Sequence, residues 1–319
     1  MLRALRHLLL TALVLLGVSA VLPAQTGKSA SRKTENVVVL VIDGPRQSEM
    51  WADPSHYWIP HLSGELAPQG VLLSGFRNNG PTYTAAGHTA LCTGVYQDIE
   101  NSKGSQLPSH ASMFQHFLKA TGLPKQKAWL ITSKDKLALL GNTDEAGWHD
   151  AFTPTVWSGV GGKGFGAGYA DDADTVAKVK AVLRTEHPRL MLINFKHPDA
   201  GGHSGVWRNY VEGLRASDAY AAEIWQTIQG DPALKNRTAL FITHDHGRHL
   251  DGVADGFRNH GCNCEGCRCI ALLALGPDFK RGAVIPKGGE LIDLPVTIAN
   301  MLGFSLPGVQ GRVLKELFP

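Results

Sequence analysis

The chain has 319 residues, 31 of them Lys or Arg and 28 Asp or Glu, for a formal net charge of +3. That near balance gives no electrostatic case for nucleic acid or an anionic membrane surface as a partner. The 36 glycines and 17 prolines fall mostly between apolar runs, which excludes a disordered or fibrous chain and suits a loop-rich α/β enzyme.

Residues 1–24 read as a signal peptide. Arg3 and Arg6 precede an apolar run from Leu8 to Val18, and Val18-Ser19-Ala20 or Leu22-Pro23-Ala24 offers a cleavage site. The run is too short for a stable membrane anchor, so a periplasmic or secreted protein is expected. Residues 25–35 are polar and read as a linker, and residues 36–319 as a single domain.

Residues 36–42 are almost continuously apolar and β-branched, the pattern of a strand buried on both faces of a parallel sheet. The run ends in Asp43-Gly44, where open α/β sheets place their ligands. Residues 60–66 predict a short helix and 71–76 a second strand. In residues 80–94 a loop turns into a helix near Thr84. A hydroxyl there meets free backbone N–H groups and the positive end of the helix dipole, which suits an incoming anion. Taken alone, Thr84 also fits a plain N-cap.

Residues 96–108 form a polar loop holding Asn101 and Lys103, and Ser109 is expected to cap a helix reaching Thr121. Residues 128–132 predict a strand. Glycines and aromatics alternate through 141–171, a candidate lid or substrate wall. A helix over 172–186 and a strand over 190–195 follow. The glycine-rich segment 197–203 is read as a loop that can fold Asp199 and His203 toward one point. After a long amphipathic helix over 207–229, the strand 239–243 ends in His244-Asp245-His246-Gly247. His260 precedes the last strand, 270–275, and Asp293 is expected to cap a helix to Leu302.

Asp43, Thr84, Asp199 with His203, and Asp245 with His246 all follow strands or open helices. In a parallel sheet they should meet at its carboxyl edge. With His260 added, three imidazoles and three carboxylates suit borderline divalent cations, zinc above all. Two such ions about 4 Å apart can hold a phosphoryl oxygen and lower the pKa of a coordinated hydroxyl. Thr84 would then be the nucleophile, and a water would hydrolyse the phosphothreonine.

The ordered set V-I-D-G at 41–44, T-A-A-G-H at 84–88, T-G at 93–94, D-x-x-x-H at 199–203, T-H-D-H-G at 243–247 and His260 before Gly276-Pro277 resembles the alkaline phosphatase superfamily. Its style is nearest the nucleotide pyrophosphatase/phosphodiesterase and threonine-type alkaline phosphatase branch. The resemblance implies an alkaline-phosphatase-like α/β fold: a mostly parallel central sheet with helices on both faces. It also implies two Zn²⁺ ions, one on Asp43, Asp245 and His246 beside Thr84, the other on Asp199, His203 and His260. His88 and His244 would be structural. The Ala85 backbone N–H and Asn101 would cradle the phosphate of a small phosphate-ester substrate.

A sulfatase would need a Cys or Ser in a C/S-x-P-x-R sequence, which Thr84 does not open. Phosphoglycerate mutases of this superfamily are usually larger, cytosolic and serine-based. A phosphonate hydrolase would use the same metal site, and an exported binding protein without turnover should have lost a ligand or the nucleophile. Lys103, Arg77 and Arg248 are candidates for cationic groups on a monoester, and Trp51, Trp58 and Trp157 for the wall of a diester slot. Cys92 stands alone. Cys262, Cys264, Cys267 and Cys269 are expected to form one or two local disulfides in an exported protein, with a structural zinc site as the rival.

Overall fold

A computed structural model describes residues 32–102 and 104–319. The expected signal peptide and most of the expected linker lie outside the described residues, as does Lys103. In chain order the elements that matter here are β1 (Asn36–Ile42), β2 (Val71–Arg77), α1 (Thr84–Thr93), α2 (Met113–Thr121), β3 (Ala128–Thr132) and β4 (Thr155–Ser158). They continue with α3 (Asp172–Glu186), β5 (Leu190–Phe195), α4 (His197–His203), α5 (Trp207–Gly230) and β6 (Thr238–Thr243). The last are α6 (Glu265–Arg268), β7 (Cys269–Leu275), β8 (Ala283–Ile285) and α7 (Asp293–Leu302).

The strands form one eight-stranded sheet in the order β4-β3-β5-β1-β6-β7-β2-β8. All neighbours run parallel except that β7 is antiparallel to both β6 and β2. Every residue of β1 is buried, because alternate side chains feed two different cores. Val37, Val39 and Val41 pack with Ala86 and Leu91 of α1, Phe114 of α2 and Ile298 of α7. Val38, Leu40 and Ile42 pack with Val179 of α3 and Leu214 and Ile224 of α5. Helices therefore cover both faces, and each of these side chains contributes about 1.5–3 kcal/mol of burial. A polar residue at any position from Val37 to Ile42 would disrupt one of the two cores.

Several local expectations shift. The helix expected from Ser109 starts at Met113, because Ser112 accepts from the Gln115 N–H while Gln115 reaches back to the Ser112 N–H, a complete capping box. Residues 197–203 are helix α4, with Pro198 in its first turn, where a missing N–H costs nothing. The segment 141–171 is not a free lid. Its Thr155–Ser158 stretch pairs with β3 at the sheet edge, and the Ala170 N–H donates to Ser133 O across 2.8 Å. Glycine content obscured both this strand and short β8. The expected disulfides are not formed: all five cysteines are free. Cys262 and Cys267 hold their sulfurs 3.7 Å apart, far beyond the roughly 2.05 Å of a bond. Among the described residues no helix is long and apolar enough to cross a membrane.

Candidate metal centre

Strands β5, β1 and β6 are adjacent and parallel, so their carboxyl ends open side by side. They deliver Asp43 directly after β1, Asp245 and His246 two and three residues after β6, and Asp199 and His203 from α4 after β5. In α4 the four-residue spacing puts Asp199 and His203 on one face. The turn at Asp43-Gly44 admits only glycine. Gly44 has φ +63°, and a Cβ there would stand 2.9 Å from His246 Cε1 and 3.1 Å from Asp199 Oδ1.

Two ligand sets result. The donor atoms of Asp43, Asp245 and His246 lie within 4.8 Å of one another, and so do those of Asp199, His246 and His260. His203 joins the second set, its Nε2 lying 3.2 Å from Asp199 Oδ1 and 3.2 Å from His260 Nε2. The Nδ1 of His246 is 2.8 Å from Gly247 O, and the Nδ1 of His260 is 2.9 Å from Thr82 O. Those carbonyls hold the proton on Nδ1 and leave Nε2 as a lone-pair donor, the arrangement a metal-ligating histidine needs.

The donor set fits divalent cations on two observations. Among the described residues Asp245 Oδ2 and His246 Nε2 are fully buried with no hydrogen-bond partner, although they lie 3.3 Å from each other and Oδ2 lies 3.2 Å from His88 Nδ1. That is a costly state unless another group completes it. Burial also pushes the His246 pKa well below its ordinary value, so the ring stays neutral as a ligand must. The carboxylates repel one another: burial and the Asp245 charge raise Asp43 to about 6, against the pull of Lys134. Asp199 goes the other way. Burial disfavours its charge, but Lys134, His203, His260 and Arg248 hold it well below the usual carboxylate range.

Thr84 does not cap α1. Tyr83 occupies the cap position, and the Thr84 hydroxyl lies 3.4 Å from Asp43 Oδ1 and accepts from Lys134 Nζ at 2.9 Å. Lys134 also reaches Asp43 Oδ2 at 2.9 Å and Asp199 Oδ2 at 2.6 Å. Burial opposes its charge, yet Asp199, Asp43 and Asp245 together keep its pKa above the ordinary lysine value. Sequence reasoning missed Lys134, although it follows buried β3 much as Asp43 follows β1. It also missed Lys136, whose Nζ donates to Asn101 Oδ1 at 3.0 Å and to Asn101 O at 2.7 Å.

The two residues expected to cradle phosphate touch each other. The Ala85 N–H already donates to Asn101 Oδ1 at 3.0 Å, so Asn101 engages this amide and leaves its own Nδ2 as the donor toward a ligand. Arg248 is fully buried and bound to Asp199 Oδ1 at 2.5 Å and to the carbonyls of Phe257 and Arg258; its charge orients a ligand carboxylate. Arg77 pairs instead with Glu265 at 2.8 Å. Trp51, Trp58 and Trp157 are partly buried and pack against the second core. His88 Nδ1 lies 2.9 Å from Thr84 O and His244 Nδ1 3.1 Å from Ile42 O.

Residues 87–306 match the model of the Metalloenzyme superfamily. Among curated proteins the chain is similar to 2,3-bisphosphoglycerate-independent phosphoglycerate mutases. It is 27% identical to that of Ectopseudomonas mendocina over 143 residues, covering 44% of this chain and 26% of that protein. For the Onchocerca volvulus mutase the identity is 30% over 133 residues, 40% of this chain and 24% of that protein. The chain thus spans about a quarter of the length of the curated relatives it matches. Its fold is similar to murine ectonucleotide pyrophosphatase/phosphodiesterase 5, with TM-score 0.66 and 15% identity over 89% of this chain and 100% of that one. It is also similar to a phosphonate monoester hydrolase from Silicibacter pomeroyi, with TM-score 0.62 and 14% identity over 88% and 76% of the two chains. At such identities the likeness speaks for the fold.

Proposed function

The chain belongs to the Metalloenzyme superfamily, and its fold is that of the alkaline phosphatase superfamily; from that premise we propose a zinc-dependent hydrolase of small phosphate monoesters that works through phosphothreonine at Thr84. The observation that carries this reading is the buried contact of Lys134 Nζ with the Thr84 hydroxyl at 2.9 Å, beside two ligand sets containing unpartnered donor atoms.

Asp43, Asp245 and His246 would hold one cation and Asp199, His203 and His260 the other. When bound, the pair supplies Lewis-acid charge to the phosphoryl oxygens and to the Thr84 hydroxyl. The chain's own residues set the rest. Lys134 donates to Thr84 Oγ1 and favours its deprotonated form in a buried, low-dielectric position. Thr84 Oγ1 gives up its proton to solvent water and forms a bond to phosphorus while the bond from phosphorus to the leaving oxygen breaks, and that oxygen departs as the alcohol after taking a proton from water. Water then attacks phosphorus, the P–Oγ1 bond breaks, and inorganic phosphate leaves with the Thr84 hydroxyl restored. Asn101 Nδ2 and Lys136 Nζ, the latter 3.0 Å from Asn101 Oδ1, would donate to the phosphoryl oxygens and offset their charge in both steps.

Two features favour a monoester over a diester. Lys136, its Nζ held on Asn101, offers a cation for the second negative charge of a monoester. The tryptophans weighed for a diester slot lie partly buried against the second core. The curated relatives are named for phosphoglycerate, itself a phosphate monoester. We also propose export, on the pattern of residues 1–24 alone.

The test compares turnover of p-nitrophenyl phosphate and bis-p-nitrophenyl phosphate by the zinc-loaded protein, with acid-quenched mass spectrometry of the Thr84 peptide. Faster monoester turnover and a phosphoryl adduct on Thr84 are expected. Equal rates with the Thr84→Ala variant would overturn the nucleophile assignment.

A further inference from the structure

Outside the candidate centre, one group of soft ligands lies under the loop that carries His260. The donor atoms of His249, Cys262 and Cys267 are all within 4.8 Å of one another. We propose that these three residues, with Cys264 as the fourth ligand, form a separate structural site for a thiophilic divalent cation of the zinc class.

The sulfur spacing is the first support. Two thiolates on one tetrahedral zinc, each at about 2.3 Å, stand about 3.8 Å apart; Cys262 Sγ and Cys267 Sγ are 3.7 Å apart. The histidine is the second. His249 is buried, and its Nδ1 lies 2.8 Å from Asp255 Oδ1. That contact fixes the tautomer and leaves Nε2 as a ligand, as in carboxylate–histidine–zinc arrangements. Third, the Cys264 N–H donates to Cys262 Sγ at 3.3 Å, which stabilises charge on that sulfur. Cys264 stands two residues after Cys262 and three before Cys267, a C-x-x-C spacing that lets a third thiolate reach the same ion.

The ligands come from both ends of one excursion, His249 shortly after β6 and the cysteines just before β7. Cys269 stands apart, engaged by Glu265 at 3.1 Å and Arg77 at 3.3 Å. The site also ties into the candidate centre. Gly247 N–H donates to Cys267 O at 2.8 Å, one residue after His246. Thr82 donates from Oγ1 to Cys262 O at 2.8 Å, and its own carbonyl holds His260 Nδ1 at 2.9 Å. An ion here would brace His246 and His260 without meeting the substrate.

Cobalt substitution of the full chain tests the site. Thiolate-to-cobalt charge-transfer absorption in the near ultraviolet, saturating at one ion per chain, is expected. The candidate centre has only nitrogen and oxygen donors and gives no such band, so this readout is independent of hydrolysis. The Cys262→Ser/Cys267→Ser variant should lose the band and bind one ion fewer. Should that variant not fold, alkylation of the unchanged protein decides. Zinc should protect Cys262, Cys264 and Cys267 from iodoacetamide, and a chelator should expose them. Absence of the band, equal labelling with and without zinc, or a Cys262–Cys267 disulfide in protein isolated without reductant would each overturn the proposal.

Discussion

Lys134 places its ammonium 2.9 Å from the hydroxyl oxygen of Thr84, although 50 residues separate them in the chain. The lysine comes from just after β3 and the threonine from the start of α1; Thr84 is 1% exposed and Lys134 2%. A charge held so near a hydroxyl in a dry site acts on that oxygen more strongly than it could in water.

Replacing Lys134 by Met should lower kcat for p-nitrophenyl phosphate by about 10²- to 10³-fold, the usual loss for one buried electrostatic donor. KM should change much less, because the contact is to the nucleophile rather than to the substrate. Steady-state kinetics on the metal-loaded variant checks this; an unchanged kcat would remove Lys134 from the reaction.

Metal removal should destabilise the fold. Each ion bound at a thousand times its Kd adds about 4 kcal/mol to the folded state. Dialysis against a chelator should therefore lower Tm, and zinc should restore it. Asp245→Asn weakens a ligand whose Oδ2 has no hydrogen-bond partner, and it should shrink the zinc-dependent rise in Tm. Calorimetry with and without zinc gives the comparison.

Lys136 should impose a pH dependence. Burial and the charge of Lys134 lower its pKa to about 8, from 10.5 for an ordinary lysine. Above pH 8 it loses its charge beside Asn101, so KM for a dianionic ester should rise. Lys136→Met should raise KM at neutral pH and abolish that alkaline rise. The stability effect has the opposite sign. Between about pH 8 and 10.5 the unfolded chain binds more protons at this residue than the folded one, so its contribution to stability increases with pH. KM–pH profiles and denaturation midpoints at pH 7 and 9.5 measure the two effects separately.

Gly44→Ala should cost about 1–3 kcal/mol and impair metal binding. Its backbone is at φ +63°, and the added methyl would press on His246, Arg248 and Asp199. Gly64→Ala is the control, since nothing lies within 4 Å of a Cβ there. In that helical turn the substitution should be neutral or stabilise by up to about 1 kcal/mol. Thermal melts and zinc titration of the two variants distinguish a site effect from a general one.

Much of the architecture was legible because it rests on local patterns. The uninterrupted apolar run of β1 could only be a strand buried on both faces, and Asp43 immediately after it had to stand at the carboxyl edge. The same reasoning placed Asp245 and His246 after β6. Where glycine diluted the pattern, sequence reading failed: α4 was taken for a loop, and edge strand β4 was hidden inside a supposed lid.

What the order of residues determined by itself was which side chains end strands, because burial and alternation are properties of short stretches. It could not determine which strands are neighbours, since pairing is decided by how the two cores close around β1. Only that closure, β5-β1-β6 with β3 beyond β5, brings Lys134 onto Thr84 and sets Arg248 against Asp199. These are contacts between segments far apart in the chain. They carry no periodic signature, and their chemistry appears only when packing removes the water between them.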